Sequence, residues 1–293
     1  MTCNLRPAVE ARFPPNYIFL YFFVTFRVVV DTFSEQPWQQ LSERSRRAPR
    51  AVRGFDMSTA AMPQTLSTET APIAPWPHTI VLACIFLGLT GAGAIFQRQA
   101  RAHPQSAGSS HVVLYLSLIA MEYGLFRYVS AGLARRGVAM KSLIGGSWNR
   151  LRDILRDMGL ALGLWTIWFG VDKLWGQVFG MSHAVSIQNF LPRRPFEIAL
   201  WIAVSVSAGI SEEIAFRGYF QRQFGALTGS KWAAVCLQAV LFGLGHGYQG
   251  VQAMAKIALF GAIYGVLAIW RGSLRPGILA HASGDILSGI FGI

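Results

Sequence analysis

Residues 201–220 read WIAVSVSAGISEEIAFRGYF, an apolar stretch as long as a membrane-spanning helix, with three charges in its second half. The charged side chains are Glu212, Glu213 and Arg217. A charge at the centre of a spanning helix costs about 2.5–3.5 kcal/mol on insertion scales, so three charges within six residues need a compensating role. Such residues indicate a functional site that faces the protein interior.

The composition predicts an integral membrane protein. Of the 293 residues, 53% are hydrophobic and only 14% are charged, whereas a soluble domain has about 25% charged residues. The net charge of +12 does not indicate a nucleic-acid partner, because no basic–aromatic binding motif accompanies it. The basic residues lie between apolar segments instead, as they do in cytoplasmic loops. The lipid bilayer is therefore the expected environment and partner.

The three cysteines, Cys3, Cys84 and Cys236, are scattered along the chain. They form neither a disulfide framework nor a metal-ligand spacing. Two of them, Cys84 and Cys236, lie within apolar segments, and we expect them to be buried as small apolar side chains.

The chain divides into an N-terminal extension, residues 1–78, and a membrane domain, residues 79–293. The extension contains an apolar run at 17–30 that Arg27 interrupts and that is short for a span. The polar stretch that follows, 34–72, is expected to be poorly ordered. Met57 is a second candidate start, which would leave residues 1–56 outside the natural protein.

From residue 79 onward, apolar segments recur with the length that a bilayer requires. We predict an all-α, polytopic helix bundle with seven spans, at 79–96, 112–132, 158–180, 196–221, 231–247, 254–270 and 276–293. The arginine-rich segment 134–157 is predicted to lie at the cytoplasmic membrane surface. With the N-terminus inside, the inner segments hold 18 Lys and Arg residues and the outer segments hold 5. That imbalance predicts an N-in, C-out orientation.

The spacing of the polar residues predicts which of them lie close together. Glu213 and Arg217 are four apart and are expected to form an ion pair within their helix. Glu212 is rotated by about 100° from Glu213, which leaves it as the candidate reactive group. His281 and Asp285 in the last span are also four apart, on one helix face.

Each polar position also has a purely structural interpretation. His246, near the end of the fifth span, is compatible with a satisfied interfacial residue, and His281 and Asp285 are compatible with an intrahelical pair. Charged residues in the second and third spans are expected to pair locally or to lie near an interface: Glu122 with Arg127, and Asp172 with Lys173. The glycines at 243, 245 and 247 are expected to permit close helix approach rather than to bind phosphate.

Three motifs, in this order, resemble those of the CPBP family, the CAAX prenyl proteases and bacteriocin-processing enzymes that are also called the Abi family. The E-E-x-x-x-R motif is present at Glu212 to Arg217, F-x-x-x-H at Phe242 to His246, and H-x-x-x-N/D at His281 to Asp285. The resemblance covers about residues 158–293, which form the motif-bearing core.

The resemblance implies a multi-pass protein of the bacterial cell (inner) membrane that hydrolyses a membrane-associated or prenylated peptide or protein. It implies that Glu212 activates the water and that His246 helps to orient it. His281 and Asp285 would stabilise the oxyanion, and the Glu213–Arg217 pair would support the site.

Asp285 departs from the asparagine that is common in the family. An amide donates hydrogen bonds, whereas an ionised carboxylate only accepts them. Asp285 must therefore be protonated, orient His281, or ligate a metal. A zinc ion held by Glu212, His246, His281 and Asp285 is one expectation, and metal-free water activation is the other, so both metallo- and glutamate endopeptidase stay open.

Other functions remain alternatives. The H-E-x-x-H and G-x-G-D motifs of two other intramembrane protease classes are absent from the sequence. A rhomboid-like serine protease would use Ser211 with His281, and replacing Ser211 by alanine tests that. A non-catalytic membrane scaffold or bacteriocin-immunity protein with the same fold is the main alternative. A transporter is the other, although the sequence shows no inverted repeat.

Overall fold

A computed structural model describes residues 71–102, 111–180 and 191–291. Within these ranges the chain is helical, and its β structure is limited to an isolated antiparallel bridge between Gly145 and Ser273. The predicted all-α class is therefore confirmed. The predictions for residues 1–70, including the apolar run, the alternative start and Cys3, lie outside the described residues.

The described α-helices, numbered in chain order, are α1 Trp76–Ala102, α2 Val112–Ala134, α3 Met140–Ile144, α4 Leu151–Phe179, α5 Pro195–Glu213, α6 Gln221–Thr228, α7 Lys231–Gly245, α8 Val251–Arg271 and α9 Arg275–Phe291. A π-helix, Ile214–Phe220, joins α5 to α6 without a break, and a 3₁₀ turn, Gly247–Gln249, joins α7 to α8.

Four helical stretches in the described part of the chain are long and apolar enough to cross a membrane: α2, α4, α8 and the continuous stretch Pro195–Thr228. Two shorter stretches are apolar helices as well: Trp76–Ala92, which belongs to α1 and ends where its described side chains become discontinuous, and α7. Helix α9 has 17 residues, about 25 Å at 1.5 Å per residue, less than the roughly 30 Å of a bilayer core. Each predicted span thus coincides with a helix, while the count of seven spans and their orientation remain predictions.

The segment between the second and third predicted spans, 134–157, contains two helical pieces. It holds the short helix α3 and the first two turns of α4, which begins at Leu151 rather than at residue 158. These turns of α4 bond to the C-terminal end of α8. Arg271 Nε lies 2.7 Å from Asp157 Oδ1, and Trp148 Nε1 donates to Asp157 Oδ2 at 2.9 Å. These contacts satisfy the buried Asp157 carboxylate. They stabilise the polar N-terminal turns of α4, which precede its apolar part.

The core surrounds the π-helix, all of whose seven residues are buried. Its Tyr219 hydroxyl lies 2.8 Å from His78 Nδ1 at the start of α1, and His78 Nε2 lies 2.9 Å from the carbonyl oxygen of Tyr128 in α2. Phe216 packs edge-on against Phe242 of α7. The π-helix, which contains the last four residues of the charged hexad Glu212 to Arg217, therefore lies at the centre of the bundle.

The outer surface carries large apolar side chains, as a lipid-facing surface does. Leu162 of α4 is 68% exposed and Trp270 of α8 is 72% exposed. Cys84 and Cys236 are exposed on the same kind of surface, so the prediction that they are buried is wrong. Lipid tails are as apolar as a protein core, and a small apolar side chain in a spanning helix is therefore not driven inward.

Candidate active site

The charged hexad lies where α5 passes into the π-helix. Glu213 ends α5, and Gln221 N–H bonds to Phe216 O in the five-residue pattern of a π-turn. Such wide turns occur frequently at functional sites. The predicted ion pair is present, because Arg217 Nη1 lies 3.1 Å from Glu213 Oε1 with both side chains buried.

The Arg217 guanidinium is stabilised by charge and by aromatic faces rather than by hydrogen bonds. Its nitrogens lack partners with hydrogen-bond geometry, so the 3.1 Å contact with Glu213 is an ion pair alone. The guanidinium carbon lies 4.2 Å from the ring centre of Phe242, and 5.5 Å from the ring centres of both Phe260 and Tyr264. Cation–π contacts of this kind contribute about 0.5–2 kcal/mol each. They compensate in part for burying the charge.

His281 joins the third motif to the first. Its Nδ1 lies 3.1 Å from Glu213 Oε1, so one carboxylate oxygen contacts both Arg217 and the imidazole. Its Nε2 lies 3.7 Å from Glu212 Oε2 and 3.6 Å from Asp285 Oδ2. Glu212, Glu213 and Asp285 are therefore linked to one another through the buried side chains of Arg217 and His281.

The close approach of α5 and α9 depends on glycine. A Cβ atom at Gly209 would lie 2.8 Å from the backbone nitrogen of Ala282, the residue after His281. A Cβ at Gly277 would lie 3.0 Å from Glu213 Oε2. Small residues at such positions let helix backbones approach closely in membranes. The two glycines thereby set the separation that places His281 beside Glu213.

His246 lies at the C-terminal cap of α7, apart from the ion-pair network. Its Nδ1 lies 2.8 Å from the carbonyl oxygen of Phe242, and its ring packs edge-on against the Phe242 ring at 4.8 Å. The Phe242 ring also neighbours His281, because the two ring centres are 6.3 Å apart. Both histidines therefore flank Phe242, while direct contact between His246 and the carboxylates is not among the described interactions.

Two residues that sequence reasoning did not assign to the site lie beside it. Glu122 of α2 is 4% exposed and lies within electrostatic range of the Glu212 and Asp285 carboxyl groups. Tyr248, in the 3₁₀ turn after His246, lies within electrostatic range of the carboxyl groups of Glu122, Glu212 and Asp285. The sequence signal that could have identified Glu122 is an acidic side chain within an apolar span, where a charge is costly, as it is for the hexad.

Of the two expectations for the charged residues in the second and third spans, local pairing is wrong, and a position near an interface stays a prediction. Among the described ion pairs Glu122 has none, and its Oε2 atom is buried without a hydrogen-bond partner. Asp172 pairs with Lys256 of α8 at 2.5 Å instead of with Lys173. Packing between helices, which the sequence spacing within one helix does not encode, decided both outcomes.

The predicted zinc ligands do not form a metal centre in this arrangement. Across residues 71–102, 111–180 and 191–291, no three His, Cys, Asp or Glu side chains are grouped so that they could hold a metal ion. The donor chemistry of Glu212, His281 and Asp285 suits zinc, whereas His246 has no described contact with these three residues. The zinc expectation stays a prediction.

The comparison with protein families supports the motif assignment. Residues 194–287 match the family described as Rce1-like, type II CAAX prenyl endopeptidase. The matched segment begins just before α5, ends within α9 and contains all three motifs. It confirms the resemblance to the CAAX prenyl proteases. Neither the curated proteins nor the solved structures include a significant match.

Proposed function

We propose that this chain is an intramembrane endopeptidase in which Glu212 activates the attacking water. The matched family consists of type II CAAX prenyl endopeptidases, and the apolar helices are those of an integral membrane protein. The observation that carries the proposal is the position of His281. Its Nδ1 faces Glu213, while its Nε2 faces both Glu212 and Asp285.

Glu212 is the carboxylate best suited to act as the base. Glu213 is fully engaged by Arg217 and His281, whereas the only described contact of Glu212 is at 3.7 Å and its side chain is 17% exposed. A water molecule beside Glu212 Oε2 would give up a proton as its oxygen attacks the peptide carbonyl carbon. The C–N bond then breaks, and the same proton passes from Glu212 to the leaving amine.

His246 contributes through a defined tautomer. The Phe242 carbonyl oxygen accepts only, so the facing Nδ1 must carry a hydrogen. In the neutral ring Nε2 then holds a lone pair, which can accept a hydrogen bond from the attacking water. The turn that ends α7 thereby presents an acceptor to the water while the Phe242 ring holds the imidazole in place.

His281 and Asp285 are proposed to act on the developing oxyanion as a unit. Both ring nitrogens of His281 face carboxylate oxygens, and an N–H at each position makes both contacts favourable. The Nε2–H can turn toward the oxyanion, where a positioned donor is worth about 10²–10³-fold in kcat. Of the three roles open to Asp285, its 3.6 Å contact with Nε2 supports the orientation of His281.

The proposed substrate is a membrane-associated peptide or protein, and prenylated C-termini are the class that the family description suggests. Purified protein in liposomes, presented with membrane-anchored peptides of one sequence, tests both points. One peptide carries a farnesyl group, a second carries a straight alkyl chain, and a third carries no lipid. We expect the lipidated peptides to be cleaved, the farnesylated one fastest.

Variants separate the catalytic proposal from its rivals. Glu212→Ala and the isosteric Glu212→Gln should abolish cleavage while the melting temperature stays close to that of the wild type. Ser211→Ala should cleave normally, and its inactivity would favour a serine protease. Normal cleavage by Glu212→Gln would refute the mechanism. A wild-type protein that folds, binds the peptides and never cleaves them would favour the scaffold function.

A further inference from the structure

A tryptophan of α5 is hydrogen-bonded to the helix that carries the third motif. Trp201 Nε1 donates to the backbone carbonyl oxygen of Asp285 at 2.8 Å, across the interface between α5 and α9. Helical geometry offers that oxygen the N–H of Gly289 as well, and a carbonyl oxygen has lone pairs for both donors. The indole therefore joins the helix of Glu212 to the last residue of the third motif.

The indole of Trp201 fits a notch that a glycine leaves in α9. A Cβ atom at Gly289 would overlap the indole nitrogen and the neighbouring ring carbons, so any side chain there would displace the ring. The indole also contacts α2, because the buried Tyr115 ring packs edge-on against it with ring centres 5.6 Å apart. Contacts with two helices hold the indole in one orientation, which aims its N–H at Asp285.

The contacts along the α5–α9 interface follow one antiparallel register. Three close contacts pair a residue of α5 with a residue of α9: Trp201 with Gly289, Gly209 with Ala282, and Glu213 with Gly277. Each contact involves a glycine, so the matching of large with small residues specifies the axial position of α9. A shift of α9 by one residue would turn its side chains by about 100° and take His281 away from Glu213.

We infer that Trp201 is a positioning residue of the site, which fixes the register of α9 and thereby holds Asp285 and His281 in place relative to Glu212. The inference rests on the proposed function, in which these residues act on the water and the oxyanion. Trp201 lies about three helical turns from Glu212 along α5, roughly 16 Å, so it acts through α9. Misplacement by about 1 Å can cost about 10²-fold in rate, so a contact far from the chemistry can control it.

Cleavage of the farnesylated peptide in liposomes tests the positioning role. Trp201→Phe keeps an aromatic ring in the notch but removes the N–H. It should lower kcat about 3–10-fold with KM nearly unchanged, as expected for a lost neutral hydrogen bond. Trp270→Phe in α8 is the matched control and should behave as the wild type, because Trp270 is 72% exposed on the outer surface. Wild-type kcat for Trp201→Phe would overturn the inference.

A double-mutant cycle separates positioning from a general structural role. If the Trp201 bond acts through Asp285, the effect of Trp201→Phe on kcat should shrink to about twofold or less in the Asp285→Ala background. An indole that only stabilises the bundle would change kcat by the same factor in both backgrounds. Equal factors would therefore overturn the inference.

A stability cycle tests the notch without any substrate. Gly289→Ala should lower the melting temperature strongly in the otherwise wild-type protein, because the added methyl overlaps the Trp201 indole. In the Trp201→Leu background the same substitution should cost little, since the methyl then enters vacated space. Equal drops in both backgrounds would overturn the inference. Because this measurement does not depend on cleavage, a failure of the proposed protease function and a failure of the assignment of Trp201 are distinguishable.

Discussion

His281 Nδ1 lies 3.1 Å from Glu213 Oε1, across the interface between α5 and α9. The same oxygen lies 3.1 Å from Arg217 Nη1. Glu213 is therefore the residue that both neutralises the buried arginine and orients the imidazole. This geometry gives Glu213 a supporting role and leaves the adjacent Glu212 open to water.

Loss of Glu213 should destabilise the protein far more than loss of Glu212. Glu213→Ala leaves Arg217 buried without a counter-ion, which costs about 3–5 kcal/mol. Thermal unfolding in detergent should show a large drop in melting temperature for Glu213→Ala and almost none for Glu212→Ala. Combining Glu213→Leu with Arg217→Met removes both charges and should recover much of the stability. Equal melting temperatures for the two alanine variants would contradict the division of roles.

Arg217→Lys should be destabilising although the charge is kept. The planar guanidinium lies over Phe242 at 4.2 Å and near two further rings, and a compact ammonium does not stack in this way. We expect a loss of about 1–2 kcal/mol in the free energy of unfolding. Denaturation in detergent measures it. Wild-type stability of Arg217→Lys would show that charge alone holds this residue.

Asp285 should tolerate asparagine better than alanine. The amide oxygen of Asp285→Asn can still face His281 Nε2 as an acceptor, and Nε2 lies 3.6 Å from the present carboxylate. We expect Asp285→Asn to stay within about tenfold of the wild type in kcat/KM, and Asp285→Ala to lose about 10²–10³-fold, as for a displaced oxyanion donor. If the two variants are equally inactive, the negative charge itself is required and the orienting role is incomplete.

Gly209→Ala should reduce both stability and activity. The added methyl would lie 2.8 Å from the backbone of Ala282, which forces α9 away from α5 and His281 away from Glu213. Overpacking of this kind costs about 1–3 kcal/mol. Gly163→Ala in α4 is the matched control, because nothing lies within 4 Å of its added methyl. A fully active Gly209→Ala would show that the site tolerates a wider helix separation.

Metal removal should leave activity unchanged under the proposed mechanism. Glu212, His246 and His281 supply the base, the acceptor and the oxyanion donor from side chains alone. The measurement is peptide cleavage after dialysis against a strong chelator, with zinc added back in a parallel sample. Activity that falls on dialysis and returns with zinc would favour the metallopeptidase, and bound zinc should then decrease in His281→Ala.

The sequence was most informative where one helix contains the whole pattern. Glu213 with Arg217, and His281 with Asp285, are pairs that helix periodicity alone places together, and both contacts are present. The helical class followed from apolar segments of bilayer length. Residues 172 and 173 show the limit of such reasoning. Their proximity in sequence suggested a local pair, but Asp172 pairs with Lys256 of another helix.

The tertiary structure decided which residues of different helices contact one another. It places His281 against Glu213 and forms a π-helix that includes Arg217 of the hexad. It also leaves the buried Glu122 of α2 within electrostatic range of Glu212 and Asp285. Helix packing depends on small residues such as Gly209 and on the shapes of distant faces, which no local spacing encodes. The amino-acid sequence therefore determined which charged residues lie within apolar spans, where their free-energy cost indicates a role. The packing of the helices determined which of these residues contact one another.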